Sequence, residues 1–264
     1  MPDKSAYLKA MGIDVWLERN TSPQIIDIDV ASITSHVAKQ SLAQQAEIKP
    51  PPVAKENVSQ PEKMLKDDSH LREVATVDVN ALDWPALEKH VSSCQLCELA
   101  KTRGCTLLGI GSKNADLMVI GDAPTEQDEN NREVFSAEAG SLLTAMLKAM
   151  GYKKQDVYLT TTVKCKTQKN QNPSELELAT CESYLLQQIQ LVQPKLILAM
   201  GNVAAQSLLK SKSTMSRLRG QLHYIDSVKA PILVSYHPTY LLAATNEKRK
   251  AWQDLQLAME ELAS

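Results

Sequence analysis

No apolar run in the chain approaches the roughly 18–20 residues that a membrane-spanning helix needs. The first twenty residues, MPDKSAYLKAMGIDVWLERN, lack the long apolar core of a secretory signal. These two gaps point to the cytoplasm, where thiols stay reduced, so the five cysteines are not expected to form a disulfide framework. No charge of one sign dominates either. Residues 1–84 hold 9 Lys/Arg against 13 Asp/Glu, a balance of −4; of the chain's 29 and 31 this leaves 20 and 18, a balance of +2. Charge alone therefore does not announce a nucleic-acid binder. There is no internal repeat and no second C-x2-C pair. Phenylalanine occurs once, as Phe135.

Three zones divide the 264 residues. Residues 1–36 hold an amphipathic piece over 5–19, with Tyr7, Leu8, Met11, Ile13, Trp16 and Leu17 as its apolar set. Residues 37–80 carry Pro50-Pro51-Pro52, many Gln, Lys and Glu, and almost no aromatics. Such a segment buries too little apolar surface to offset its chain entropy, so it is expected to be a flexible linker. Residues 81–264 read as globular. A helix is expected over Trp84–Leu99, ending at the first cysteine pair, and others over Gly140–Met150, Ser174–Leu191, Val203–Leu209 and Glu247–Leu262. Short apolar strands are expected over Asp116–Gly121, Asp156–Val163, Lys195–Met200 and Pro231–Ser235. This alternation predicts an α/β fold, a three-layer sandwich with a mostly parallel central sheet. Ligands of such sheets bind beyond the C-terminal strand ends. Chemistry is therefore expected in Gly121–Phe135, Thr161–Cys165 and Tyr236–Leu242.

Cys94-Gln-Leu-Cys97 is a close pair, Cys165 follows the second expected strand, and Cys181 lies in the long helix. Four thiolates can hold zinc or a [4Fe–4S] cluster; cysteine is also commonly buried without any such role. Cys105 is the odd thiol.

Several motifs then follow in order: Gly121-Asp122-Ala123-Pro124-Thr125, Asp128-Glu129, Phe135, Ala139-Gly140, Leu142-Leu143, Thr160-Thr161-Thr162-Val163-Lys164-Cys165, Cys181, Arg219-Gly220, His237-Pro238-Thr239-Tyr240-Leu241-Leu242 and Trp252-x-Asp254-Leu255. Over about residues 85–260 this series resembles the family 4, iron–sulfur uracil-DNA glycosylases. The resemblance implies a [4Fe–4S] cluster on Cys94, Cys97, Cys165 and Cys181, and hydrolysis of the N-glycosidic bond of uracil in DNA during base excision repair. It implies that Phe135 stacks on an extruded uracil, that His237 donates to charge developing on the base, and that Asp122 orients water or stabilises the sugar cation. Ala123 and Thr161 would complete the base pocket, and Pro238, Tyr240 and Leu241 would meet DNA, with Leu241 as a wedge. On the residues alone, Phe135 could equally be a core ring and His237 a turn histidine.

The sequence departs from that pattern at Asp122 (Glu in the family), Thr125 (Gly), Arg132 (Gly), Val134 (Pro), Thr161 (Asn) and Ala243 (a basic residue). A Thr hydroxyl cannot match the two-point contact of an Asn amide, which leaves open a weakly active or inactive DNA-binding accessory. Tyr7-Leu8-x2-Met11-Gly12-Ile13-x2-Trp16-x2-Arg19 resembles the start of the psi subunit of the bacterial clamp-loader complex. It implies that residues 5–19 dock on clamp-loader subunits, an ordinary amphipathic tail being the alternative. A monomer is expected.

Overall fold

The computed structural model describes residues 78–264. The amphipathic piece at 5–19, and the expected linker up to residue 77, lie outside the described residues.

The described chain forms a six-stranded sheet in the order β1-β3-β2-β4-β6-β5. Its strands are β1 (Ile110–Gly111), β2 (Leu117–Gly121), β3 (Tyr158–Thr161), β4 (Leu196–Met200), β5 (Leu222–Ile225) and β6 (Val228–Ser235). Strands β3, β2, β4 and β6 run parallel; β1 and β5 pair antiparallel at the two edges. Every residue of β2, β3 and β4 is buried, as strands covered on both faces must be. Alternate residues of β2 enter opposite cores. Leu117 and Val119 meet α4 (Ala137–Ala149), α8 (Pro238–Ala243) and α9 (Lys248–Ala263) through Leu143, Met146, Leu241 and Leu255. Met118 and Ile120 meet α5 (Glu175–Val192), α6 (Asn202–Leu209) and α7 (Met215–Leu218) through Leu185, Ile189, Leu208 and Leu218. The expected three-layer α/β sandwich with a mostly parallel sheet is what forms.

The four central strands and the long α5 fall where the sequence places them. Ser174 caps α5 in a reciprocal capping box with Glu177, which satisfies two backbone donors that the helix cannot pair internally. The expected helix over Trp84–Leu99 is shorter. Asp83 caps α1 (Trp84–Ser92), which stops before Cys94, and a separate turn, α2 (Leu99–Thr102), follows the cysteine pair. β6 begins three residues earlier than its apolar run, because β5 pairs with it as a hairpin. Among the described residues no helix is long and apolar enough to cross a membrane.

Candidate active site

The chain leaves β2 towards β3 and leaves β4 towards β6, in opposite directions, so a crevice opens at their C-terminal ends. A cleft of about 740 Å³ lies there, lined by Ala123, Phe135, Ser136, Thr161, His237 and Leu242 among others. Asp122 lines an adjoining cavity that shares Ala123, Thr125, His237 and Thr239 with the cleft. The loops after β2, β3 and β6 thus bring Phe135, Thr161 and His237 together, with Asp122 beside them.

Asp128 organises the first loop. Thr125 caps α3 (Glu126–Asn131) in a capping box with Asp128. One oxygen of the buried Asp128 carboxylate accepts from the Thr125 N–H and hydroxyl, each at 2.8 Å; the other accepts from the Ser136 N–H at 2.7 Å. The threonine that departs from the family's glycine is therefore a helix cap. Three non-glycine residues of this loop, Arg132, Phe135 and Ala137, have φ between +52° and +54°. Left-handed backbone of this kind is costly and persists where surrounding contacts over-determine it. Gly121 makes room for the aromatic ring, since a Cβ there would stand 2.5 Å from Phe135 Cζ.

Phe135 is 4% exposed and belongs to both the core and the cleft wall. Its ring stacks on the His237 imidazole, with centroids 5.5 Å apart and planes at 22°. His237 accepts from the Thr239 N–H through Nδ1 at 3.2 Å, which leaves Nε2 as the protonated nitrogen of the neutral ring. Desolvation lowers its pKa from 6.5 to about 4. Asp122 turns towards the start of α6, where Oδ1 accepts from the Ala204 N–H at 2.8 Å. Gly201, at φ +110°, allows this approach, because a Cβ there would overlap the carboxylate. Burial raises the Asp122 pKa from 3.8 to about 6, against the opposing pull of the Ala204 and Val203 N–H groups. Thr161 is buried and donates its hydroxyl proton to the Val163 carbonyl at 2.8 Å.

Two of the residues expected to meet DNA are inside instead. On α8, Leu241 is 1% exposed and Pro238 is buried, while Tyr240 is 48% and Leu242 38% exposed. Pro238 and Leu241 are three apart and share the inward face of the helix; Tyr240 and Leu242 point out. Leu241 packs in the core, so the outward leucine is Leu242.

The β6 end that carries His237 is held by a buried network. Arg219 pairs with Asp254, which is 1% exposed, and the Ser235 hydroxyl donates to the same carboxylate at 2.7 Å. This accounts for the Arg219 and Asp254 positions in the sequence motifs. Sequence reasoning missed Ser136, a residue of the cleft wall whose buried hydroxyl has no hydrogen-bond partner among the described residues. Its neighbour Phe135 drew attention as the chain's one phenylalanine; nothing marks a lone serine.

In a second place, Cys94, Cys97, Cys165 and Cys181 line one small cavity with Arg103, Lys164 and Tyr184. Cys105 stands apart, its Sγ 3.7 Å from the Glu129 carbonyl. Arg103 donates to Cys165 Sγ at 3.2 Å and to the Cys94 carbonyl at 2.5 Å. Lys164, wholly buried, donates to Thr160 Oγ1 at 2.8 Å and to the Thr161 carbonyl at 2.6 Å, joining the cysteine cavity to the cleft strand. Among the described residues, no group of three or more His, Cys, Asp or Glu side chains is placed to hold a metal ion.

The sequence profile of the uracil DNA glycosylase superfamily matches residues 108–256, more than half of the chain. The chain belongs to that superfamily, whose enzymes hydrolyse N-glycosyl bonds. It is 31% identical over 160 residues to a type-4 uracil-DNA glycosylase of Archaeoglobus fulgidus, covering 58% of this chain and 80% of the relative. It is 31% identical over 181 residues to a type-4 uracil-DNA glycosylase of Saccharolobus solfataricus, covering 66% and 84%. A type-5 uracil-DNA glycosylase of Pyrobaculum aerophilum is 27% identical over 146 residues, covering 50% and 64%.

Proposed function

We propose that this chain is a uracil-DNA glycosylase of the type 4 kind, acting on a base extruded from DNA during base excision repair. The observation that carries the reading is the meeting of Phe135, Thr161 and His237 in one cleft beside Asp122, at the strand ends of a superfamily member. Leaving of the base puts negative charge on uracil and positive charge on the sugar. A neutral His237, protonated on Nε2, donates to the forming uracil anion without having to lose a charge. Asp122, ionised above about pH 6, faces the sugar cation or holds the attacking water. The Thr161 oxygen, with its proton committed to Val163, accepts from uracil N3–H. The base stacks against the Phe135 ring in the cleft wall, beside His237. Tyr240 and Leu242, exposed beside the cleft, meet the DNA.

The donor set of the second cavity fits a [4Fe–4S] cluster. Four cysteines surround one space, with cationic Arg103 and Lys164 beside them. A polynuclear cluster spaces its ligands more widely than a single ion does, which suits thiols that share a cavity without converging on one point. When bound, such a group supplies a cross-link rather than catalysis, tying the segment between α1 and α2 to β3 and α5.

The test is cleavage of uracil-containing oligonucleotides by the anaerobically purified full chain. Abasic product at catalytic turnover supports the reading. Tight DNA binding with no abasic product would replace it with the accessory reading, which the Thr161 departure favours. Docking of residues 5–19 on the clamp loader is a separate proposal resting on sequence alone; loss of clamp-loader capture in Trp16→Ala would support it, and unchanged capture would end it.

A further inference from the structure

Ser136 stands where a helix cap is expected, yet it does not cap. It is the N-cap residue of α4 and makes no side-chain cap hydrogen bond, although a serine here normally accepts from the backbone one turn ahead. The next residue, Ala137, has φ +52°, a conformation outside the right-handed region that a helix start ordinarily takes. Phe135 on the other side is also left-handed, at φ +54°. The serine is thus fixed between two unfavourable backbone conformations, with its own N–H bound to Asp128. Ser136 belongs to the cleft wall, its side chain is 8% exposed, and its buried Oγ has no hydrogen-bond partner among the described residues. A buried hydroxyl without a partner costs stability, and in native proteins such a group is completed by an ordered water or ion or serves a functional role.

We infer that Ser136 is a base-binding residue, its Oγ–H donating to a carbonyl of the extruded uracil while Thr161 accepts from N3–H. The inference rests on the uracil-DNA glycosylase reading and adds a contact to it. The two hydroxyls divide the work. Thr161 has spent its proton on Val163 and can only accept, so it cannot serve either carbonyl flanking N3. Ala123 has no polar side-chain atom, and the Thr125 hydroxyl is engaged with Asp128 in both directions; Gln127, Asn130 and Thr239 also carry donors in the cleft lining. Ser136 keeps a free proton. Together the pair presents an acceptor to N3–H and a donor to an adjacent carbonyl. Cytosine offers a lone pair at N3, which faces the Thr161 oxygen unfavourably. Discrimination against cytosine thus falls to Thr161, and Ser136 adds binding that follows the base through the reaction.

The test combines activity with a binding and a stability measurement on the full chain. Ser136→Ala should lower kcat/KM on uracil-containing single strands about 5- to 10-fold, the worth of one neutral hydrogen bond. It should weaken protection by free uracil in thermal unfolding by a similar factor. Stability without ligand should stay level or rise, because the partnerless hydroxyl is gone. Ser136→Thr, which keeps a hydroxyl, should recover part of the uracil affinity. The inference is overturned if Ser136→Ala leaves both kcat/KM and uracil affinity within twofold, or if it destabilises the ligand-free protein as loss of a structural cap would. Failure of the glycosylase reading is distinguishable. A wild type that cleaves no uracil DNA sinks that reading, whereas uracil binding that weakens in Ser136→Ala would still support the contact.

Discussion

The Asp128 carboxylate accepts the Ser136 N–H at 2.7 Å across eight residues of chain. Its other oxygen closes the capping box of α3 on Thr125. One buried side chain therefore sets both the start of a helix and the loop that presents Phe135 to the cleft. Replacing it removes a cap worth about 1 kcal/mol and a charge-assisted bond worth about 1.5–3 kcal/mol. Asp128→Ala should lose about 2–4 kcal/mol in urea unfolding and should lose glycosylase activity more steeply than stability. Equal activity per folded molecule would show that the left-handed loop holds itself.

Gly121 gives a sharper version of the same test. A Cβ there presses on the Phe135 ring at 2.5–3.3 Å, and the ring's outer face is closed by His237. Gly121→Ala should cost about 1–3 kcal/mol from overpacking and should displace the ring into the space a base needs. The expected readout is a rise in KM for uracil-containing DNA larger than the fall in kcat.

Much of this was legible in the sequence. The apolar runs of β2, β3 and β4 and the Ser174 cap of α5 marked themselves, because buried parallel strands and capped helices leave strong local patterns. The edges did not. β1 is two residues long, and β5 has one exposed and three half-buried residues, so neither carries an apolar signature; each exists by pairing with a neighbour. The site was legible as a set of residues at strand ends but not in its directions. Asp122 points towards α6 because Gly201 lets it approach, and Leu241 points inward because α8 has a phase that a six-residue motif does not reveal. Ser136 was invisible, since what distinguishes it is the absence of a partner.

Two neighbouring groups oppose one another in acid. Asp122 titrates near pH 6 in the folded chain and near 3.8 when unfolded. The folded state therefore holds more protons between these values, and stability falls as pH rises. His237 titrates near 4 when folded and near 6.5 when unfolded, so there the unfolded state holds more protons and stability rises with pH. Over about pH 4–6 the two slopes oppose. Asp122→Asn should expose the histidine slope, with the melting temperature climbing from pH 4 to 6.5. His237→Gln should expose the aspartate slope, with the melting temperature dropping from pH 4 to 6. The proposed role for Asp122 adds a kinetic limb: kcat/KM should rise through about pH 6 and flatten at a low value in Asp122→Asn. Melting profiles that shift in parallel, without a change of slope, would mean that these groups keep ordinary pKa values.

The cysteines divide four against one. Cys181→Ser should lose the broad visible absorbance and the iron of anaerobically purified protein, and should loosen the segment between α1 and α2, read as faster hydrogen exchange there. Cys105→Ser should keep both colour and iron, since its thiol lies outside the shared cavity. Colour retained in Cys181→Ser and lost in Cys105→Ser would reverse the ligand assignment.

Adjacent leucines on α8 should fail in different ways. Leu241 is 1% exposed and packs with Leu142, Met146 and Leu255. Truncation to Ala should cost about 2–5 kcal/mol, as buried leucines do, and activity should fall only as far as folding does. Leu242 is 38% exposed at the rim of the cleft, so Leu242→Ala should change stability by no more than about 0.5 kcal/mol. Its effect should appear on the substrate. Extruding a base from a duplex leaves a gap in the stack that an apolar side chain can fill, and a single strand has no opposing stack to hold open. Leu242→Ala should therefore lose about tenfold on duplex uracil DNA, the order of one buried leucine contact, while keeping its rate on single strands. Equal losses on both substrates would place Leu242 in the base pocket rather than between the strands. No loss on either would leave Tyr240, 48% exposed on the same outward face, as the side chain that meets the duplex.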